Sequence, residues 1–256
     1  MAVAYVYCVV AGLLAGVAGG LFGVGGGIII VPFFVLALKF SQHKAQGTSL
    51  FALTFPIAAV GAYIYYREGS TDLLVGLILA AGILVGSFLG SKIALGISPE
   101  TMRRSFSVFM VFIAVWLFFK AAVLGDTATE AAGQLPAWML FASLAAGLFA
   151  GMAGGLFGVG GGIVVVPFMV LALGFPQHLA QGTSLLALAL PVAGLGAYNY
   201  YKKGNTDVKS ALFVALGFVG GGFLGSLFAL SLDPVTMQRS FAGFVILTGG
   251  YLFFRK

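Results

Sequence analysis

The residues of this chain that could do chemistry are few, uncharged and duplicated. Gly25, Gly26 and Gly27, then His43, Gln46, Thr48 and Ser49, return 135 positions later as Gly160, Gly161, Gly162, His178, Gln181, Thr183 and Ser184. Each can donate a hydrogen bond: the glycines through backbone N–H, glutamine through its amide, threonine and serine through hydroxyls, histidine through a ring nitrogen. A glycine turn that opens a helix leaves N–H groups free where the helix dipole is positive, so the glycine runs suit an anion. Gln46 with Thr48 or Ser49, and their second copies, add neutral side-chain donors, an arrangement suited to an oxyanion.

Three bland readings stay open beside this one. The glycine run can be a tight helical hairpin that holds nothing. Thr48 or Ser49 can simply cap the helix that follows, which accounts for the hydroxyls but poorly for the repeated glutamine. His43 and His178, the only histidines, can bind an anion, relay protons or sit at a helix boundary. They lack an acidic or thiol partner, so no metal site is expected. GLFGVGGG, Gly20 to Gly27, is not a dinucleotide fingerprint, because Ile28 stands where a third small residue is needed.

These residues belong to a unit used twice. Gly16 to Asp72 aligns with Gly151 to Asp207 without insertion, and about 40 of the 57 pairs are identical, more than shared apolar composition produces. The expected division is a first transmembrane repeat over 1–124, a linker over 125–136 and a second repeat over 137–256.

The elements that carry them must lie in a membrane. With 61% hydrophobic residues, 8% charged residues and a mean hydropathy of +1.10, the chain lacks the polar surface of a soluble globule. Apolar runs of 18 residues or more predict helices, not barrel strands, so the fold class is an all-α polytopic membrane protein. The net charge of +6 falls in short connections between spans, which argues for topology and against a nucleic-acid face. Cys8 stands alone in the first apolar run, so no internal disulfide is possible. No cleavable leader is read at the start, which has no basic n-region.

The first apolar run, Val3 to Leu38, is predicted to break at its glycines into a helix ending near Phe22 and an arm from Ile28 to Lys39. At about 1.5 Å per residue that arm is near 18 Å, short of a hydrocarbon core of about 30 Å, so one of its ends lies at membrane depth. Pro32 in this arm frees the carbonyl of Ile28. A polar patch, Ser41 to Ser49, opens a segment that runs past Pro56 to Tyr66. Leu73 to Leu95 and Phe106 to Leu124 are further spans. Glycine stripes at 12, 16 and 20 and at 82, 86 and 90 predict close helix packing. Tyr63, Tyr65, Tyr66 and Tyr198, Tyr200, Tyr201 are read as interfacial anchors.

Five segments per repeat turn the second copy upside down. One side then collects ten of the 13 lysines and arginines and the other three, whereas parallel copies would divide them six against seven. The positive-inside rule favours inverted repeats with both termini cytoplasmic. No aspartate or glutamate falls well inside a predicted span, which argues against a carboxylate relay and the usual sodium or proton coupling. No nucleophile–base pair is visible, so neither an enzyme nor a cofactor is expected.

With paired glycine runs Gly19–Gly27 and Gly154–Gly162, each followed by I-x-x-V-P ending at Pro32 and Pro167, and with G-T-S-L at Gly47 and Gly182, the sequence resembles the TauE/SafE family over nearly its whole length. The resemblance implies a transporter of sulfite or a small organosulfur anion in the bacterial inner membrane. Family members are described with seven or eight spans, whereas the sequence reads as ten segments. The expectation is export by alternating access, one half rocking against the other, with the donors of both halves around the anion. The alternative is a non-transporting membrane component that assists a partner protein. Nothing in the sequence sets an oligomeric state.

Overall fold

The computed structural model describes residues 2–123, 136–232, and 236, 240 and 243. The expected linker from 125 to 135 and the last segment of the second half lie outside it, apart from those three positions. Among the described residues there are eleven helices and no strand. The first half supplies α1 (Ala2–Phe22), α2 (Gly27–Leu36), α3 (Gln42–Thr54), α4 (Ala59–Arg67), α5 (Leu73–Leu95) and α6 (Pro99–Val123). The second supplies α7 (Ala137–Phe157), α8 (Gly162–Ala172), α9 (Gln177–Ala189), α10 (Gly194–Lys202) and α11 (Val208–Ala229).

Four of these, α1, α5, α7 and α11, are long and apolar enough to cross a membrane, and the pairs α3/α4 and α9/α10 raise the number to six if each is one broken span. The breaks bend the chain by 48° and 46°. Proline causes them: Pro56 and Pro191 have no N–H to continue the ladder, and the residues before them, Phe55 and Leu190, are extended with ψ of 152° and 156°. The single segment expected through Pro56 is therefore two helices.

α6 starts at Pro99, seven residues before the expected Phe106. Ser98 supplies the cap, accepting from the N–H of Thr101 at 3.3 Å, and proline is pre-set for the first helical position. The short arms behave as expected. α2 has 10 residues and α8 has 11, about 15 Å each, too short to cross.

Packing exchanges helices between the halves. The α1 stripe lies along α11, with Gly12 against Val214, Gly16 against Phe218 and Gly20 against Gly222 and Ser226, so the two helices run parallel. In the same way Gly82, Gly86 and Gly90 of α5 face Leu144, Leu148 and Met152 of α7. Backbone approaches backbone so closely that a Cβ at Gly82 would stand 2.5 Å from the Leu144 oxygen. The packing role expected of the stripes is what the helices use them for. Their partner, in each case, is a helix of the other half.

Candidate functional site: two glycine bends held by the opposite halves

Gly23 (φ 70°), Gly25 (φ 74°) and Gly26 (φ 70°) turn the chain from α1 into α2 through the left-handed region, which side chains rarely enter. Gly158, Gly160 and Gly161 do the same between α7 and α8, with φ of 76°, 81° and 90°. The two bends touch. A Cβ on Gly27 would lie 2.5 Å from the Gly158 oxygen, and one on Gly162 would lie 2.5 Å from the Gly23 oxygen.

Side chains of each half hold the other half's bend by its carbonyls. Ser184 Oγ donates to Gly23 O at 2.7 Å and Ser49 Oγ to Gly158 O at 2.7 Å. Gln181 Nε2 donates to Leu21 O at 3.0 Å. Tyr65 Oη lies 3.2 Å from Gly20 O and 3.2 Å from Gln181 Oε1, its one hydrogen shared between them. Tyr200 repeats this with Gly155 O at 3.1 Å and Gln46 Oε1 at 3.3 Å.

The amides of the bends are treated differently. None of the described residues accepts from the N–H groups of Val24, Gly25, Gly26, Gly27 and Ile28, nor from those of Val159, Gly160, Gly161, Gly162 and Ile163. All ten residues are buried. A buried N–H without an acceptor costs about 1–3 kcal/mol, and here five stand in succession at each helix start, where the dipole adds positive potential. The carbonyls of Leu21 and Gly23, and of Gly155 and Gly158, have side-chain donors. Those of Val24, Gly25, Val159 and Gly160 have none among the described residues, and the unbroken row is the row of amides. That is the chemistry of an anion site, a concavity of consecutive amides. Leu53 and Leu188 close over it: Leu188 Cδ1 stands 3.1 Å from a Cβ placed on Gly25 and Leu53 Cδ1 3.0 Å from one on Gly160.

The polar run does not open its helix in the expected way. α3 begins at Gln42 with Ser41 as its cap, and α9 at Gln177 after Pro176, so Gln46–Ser49 and Gln181–Ser184 sit in the second turn. There they cannot cap their own helices, and they face the other half. Thr48 and Thr183 take the most structural part, accepting from the N–H of Asp207 and Asp72, each at 2.9 Å. Both aspartates cap the next helix, accepting from Ser210 N and Val75 N. His43 is buried beside Tyr200, ring centres 6.5 Å apart, and His178 is half-buried beside Tyr65 at 6.4 Å.

Two residues that hold the candidate site escaped the sequence reading. Tyr65 and Tyr200 are fully buried and bind the bends, whereas Tyr63, Tyr66, Tyr198 and Tyr201 are more than half exposed, as interfacial anchors should be. A signal was present. On a helix the middle tyrosine of Y-x-Y-Y points away from the first by some 200°, so all three could not share one lipid-facing stripe.

Comparison with known proteins finds relatives that are called probable membrane transporters. The chain is 30% identical over 98% of its length to a probable membrane transporter protein, YunE, of Bacillus subtilis (strain 168), of which it covers 98%. It is 25% identical to a second from that organism, YdhB, over 82% of this chain and 84% of the relative. A third, MJ0441 of Methanocaldococcus jannaschii, also called a probable membrane transporter protein, is 24% identical over 74% of this chain and 71% of its own. No solved structure matches. The family described as sulfite exporter TauE/SafE matches residues 8–186 and again 143–256, and the chain belongs to that family of membrane transporters.

Proposed function

We propose that this chain exports sulfite or a small organosulfur anion across the bacterial inner membrane, binding it at the paired glycine bends. The observation that carries the reading is the row of five consecutive buried amides at each bend from which none of the described residues accepts, beside the Gly23 and Gly158 carbonyls that serine hydroxyls engage. A solute that accepts many hydrogen bonds and donates none completes such a site, and a sulfur oxyanion is one.

The two halves act as inverted copies with both termini in the cytoplasm. In support, the start of α3 packs on the α10–α11 connection, through Thr48 and Asp207, while the start of α9 packs on the α4–α5 connection, through Thr183 and Asp72. The broken spans and the short arms supply the discontinuous helices on which midplane sites of transporters are built. The bodies that rock are mixed ones, α1 with α11 and α5 with α7, because backbone contacts between Gly12 and Val214 and between Gly86 and Leu148 resist separation. The bends are covered in this structure, so access requires Leu53 or Leu188 to withdraw on one side at a time.

Export of a dianion needs no coupling ion. With the interior negative, two charges gain about 4.6 kcal/mol per 100 mV, roughly a 2000-fold gradient. The test is sulfite flux in proteoliposomes with an imposed potential. Flux should rise with a potential that is negative on the sulfite side and fall when the potential is reversed. Flux that ignores the potential rejects electrogenic export, and no flux above that of empty liposomes rejects the transport reading.

A further inference from the structure

The two copies of the polar run match at Gln42/Gln177, His43/His178 and Gln46/Gln181, but differ at Ser41/Pro176 and Lys44/Leu179. The structure follows that difference. At the start of α3 three buried side-chain nitrogens, Gln42 Nε2, His43 Nε2 and Gln46 Nε2, have no hydrogen-bond partner among the described residues. Gln42 is 6% exposed, His43 9% and Gln46 0%. Gln42 and Gln46 are one helical turn apart on the same face, and His43 and Gln46 share the flank of Tyr200. Thr206 Oγ1, on the connection that packs against this turn, is unpartnered too. At the start of α9 the glutamines differ: Gln181 is bonded to Leu21 and Tyr65 and Gln177 also has a partner. His178 Nδ1 and Thr71 Oγ1, on the connection facing this turn, are unpartnered among the described residues as their counterparts are on the first face.

The cation follows the same side. Lys44 Nζ stands 3.9 Å from Asp207 Oδ2 and 4.3 Å from the centre of the Phe40 ring, which fixes it at the rim of the α3 cluster. Asp207 is the carboxylate facing it, and its other oxygen is engaged by Ser210 N. Leucine stands in the equivalent place on the opposite face.

We infer that the start of α3 is a second, outlying oxyanion site, present on one face only, where Gln42, His43 and Gln46 receive the anion and Lys44 swings between it and Asp207. Amide donors buried without acceptors select a ligand made of acceptors, and the ammonium group makes that ligand negative. The inference rests on the anion reading of the glycine bends and adds sidedness to it: the anion is gathered on the face of Lys44 and released on the face of Leu179.

Equilibrium binding of radiolabelled sulfite to the detergent-solubilised full chain tests this. The double substitution Gln42→Ala with Lys44→Ala should weaken binding about tenfold, and Gln177→Ala, on the other face, less than twofold. Asp207→Asn keeps the helix cap and frees Lys44, so binding should tighten about threefold, an outcome that misfolding cannot imitate. Equal losses on both faces, unchanged binding in the double variant, or no sulfite bound by the unaltered chain overturns the inference. A chain that binds sulfite with this sidedness yet carries none in liposomes sinks the transport reading and leaves this site standing.

Discussion

Ser49 Oγ donates to the backbone oxygen of Gly158 at 2.7 Å, across 109 residues of sequence, and Ser184 Oγ makes the same 2.7 Å bond to Gly23. Both serines are buried, and both acceptors are the first residues of glycine bends. Replacing either by alanine leaves a buried carbonyl without its donor, which costs about 1–3 kcal/mol. Ser49→Ala and Ser184→Ala should each lower the thermal midpoint of the solubilised protein. The two losses should be similar, since the bonds are copies of one another. A midpoint unchanged in both would mean that these serines do not hold the bends.

The tyrosines make a gentler version of the same argument. Tyr65→Phe keeps the ring in its buried place and removes only the hydroxyl between Gly20 O and Gln181 Oε1. The expected cost is about 1 kcal/mol of stability, with a larger fractional loss of flux, because Gln181 then lacks the group that orients it. Tyr66→Phe, at an exposed position, should change neither. Matched effects from the two substitutions would return Tyr65 to the status of an ordinary anchor.

Glycine positions separate contact from habit. A methyl group on Gly27 would stand 2.5 Å from the Gly158 oxygen, and one on Gly162 2.5 Å from the Gly23 oxygen. Neither backbone can retreat, because each is pinned by a serine from the opposite half. Gly27→Ala and Gly162→Ala should therefore abolish the folded protein, read as loss of the monodisperse peak in size-exclusion chromatography. Gly220→Ala meets nothing within 4 Å in the middle of α11, and should be neutral or stabilising by up to about 1 kcal/mol.

The membrane class, the duplication, the helix ends at Phe22, Leu73 and Leu95, and the glycine hairpins were legible in the sequence, because hydropathy and glycine act locally. What was not legible arises from exchange between the halves. Nothing local tells Gly16 that its neighbour is Phe218 instead of a helix of its own repeat. Nor does Gln181 announce that its amide will serve Leu21, 160 residues away. The expectation that Gln46 and Thr48 sit at a helix start failed for a simpler reason: Ser41 caps α3 one turn earlier. Pro56 was visible, but a break of 48° that splits the segment into two helices and leaves Phe55 and Pro56 exposed was not read from it.

Leu53 and Leu188 are repeat equivalents, each 6% exposed, and each lies over the other half's or its own half's glycine bend: Leu53 at Gly160 and Leu188 at both Gly25 and Gly160. An apolar side chain over a row of amides from which none of the described residues accepts keeps water and solute from them in this conformation, so its removal should do two opposite things. Leu53→Ala should destabilise the protein by about 2–5 kcal/mol, as buried leucine truncations do. It should also raise sulfite flux per folded molecule, by twofold or more, because one barrier to the bends is gone. Leu190→Ala, at an exposed position one residue past α9, is the control and should leave both unchanged. Proteoliposome flux normalised to folded protein distinguishes the outcomes. Should Leu53→Ala lose stability while its normalised flux stays at or below that of the unaltered chain, the bends are not on the path of the anion.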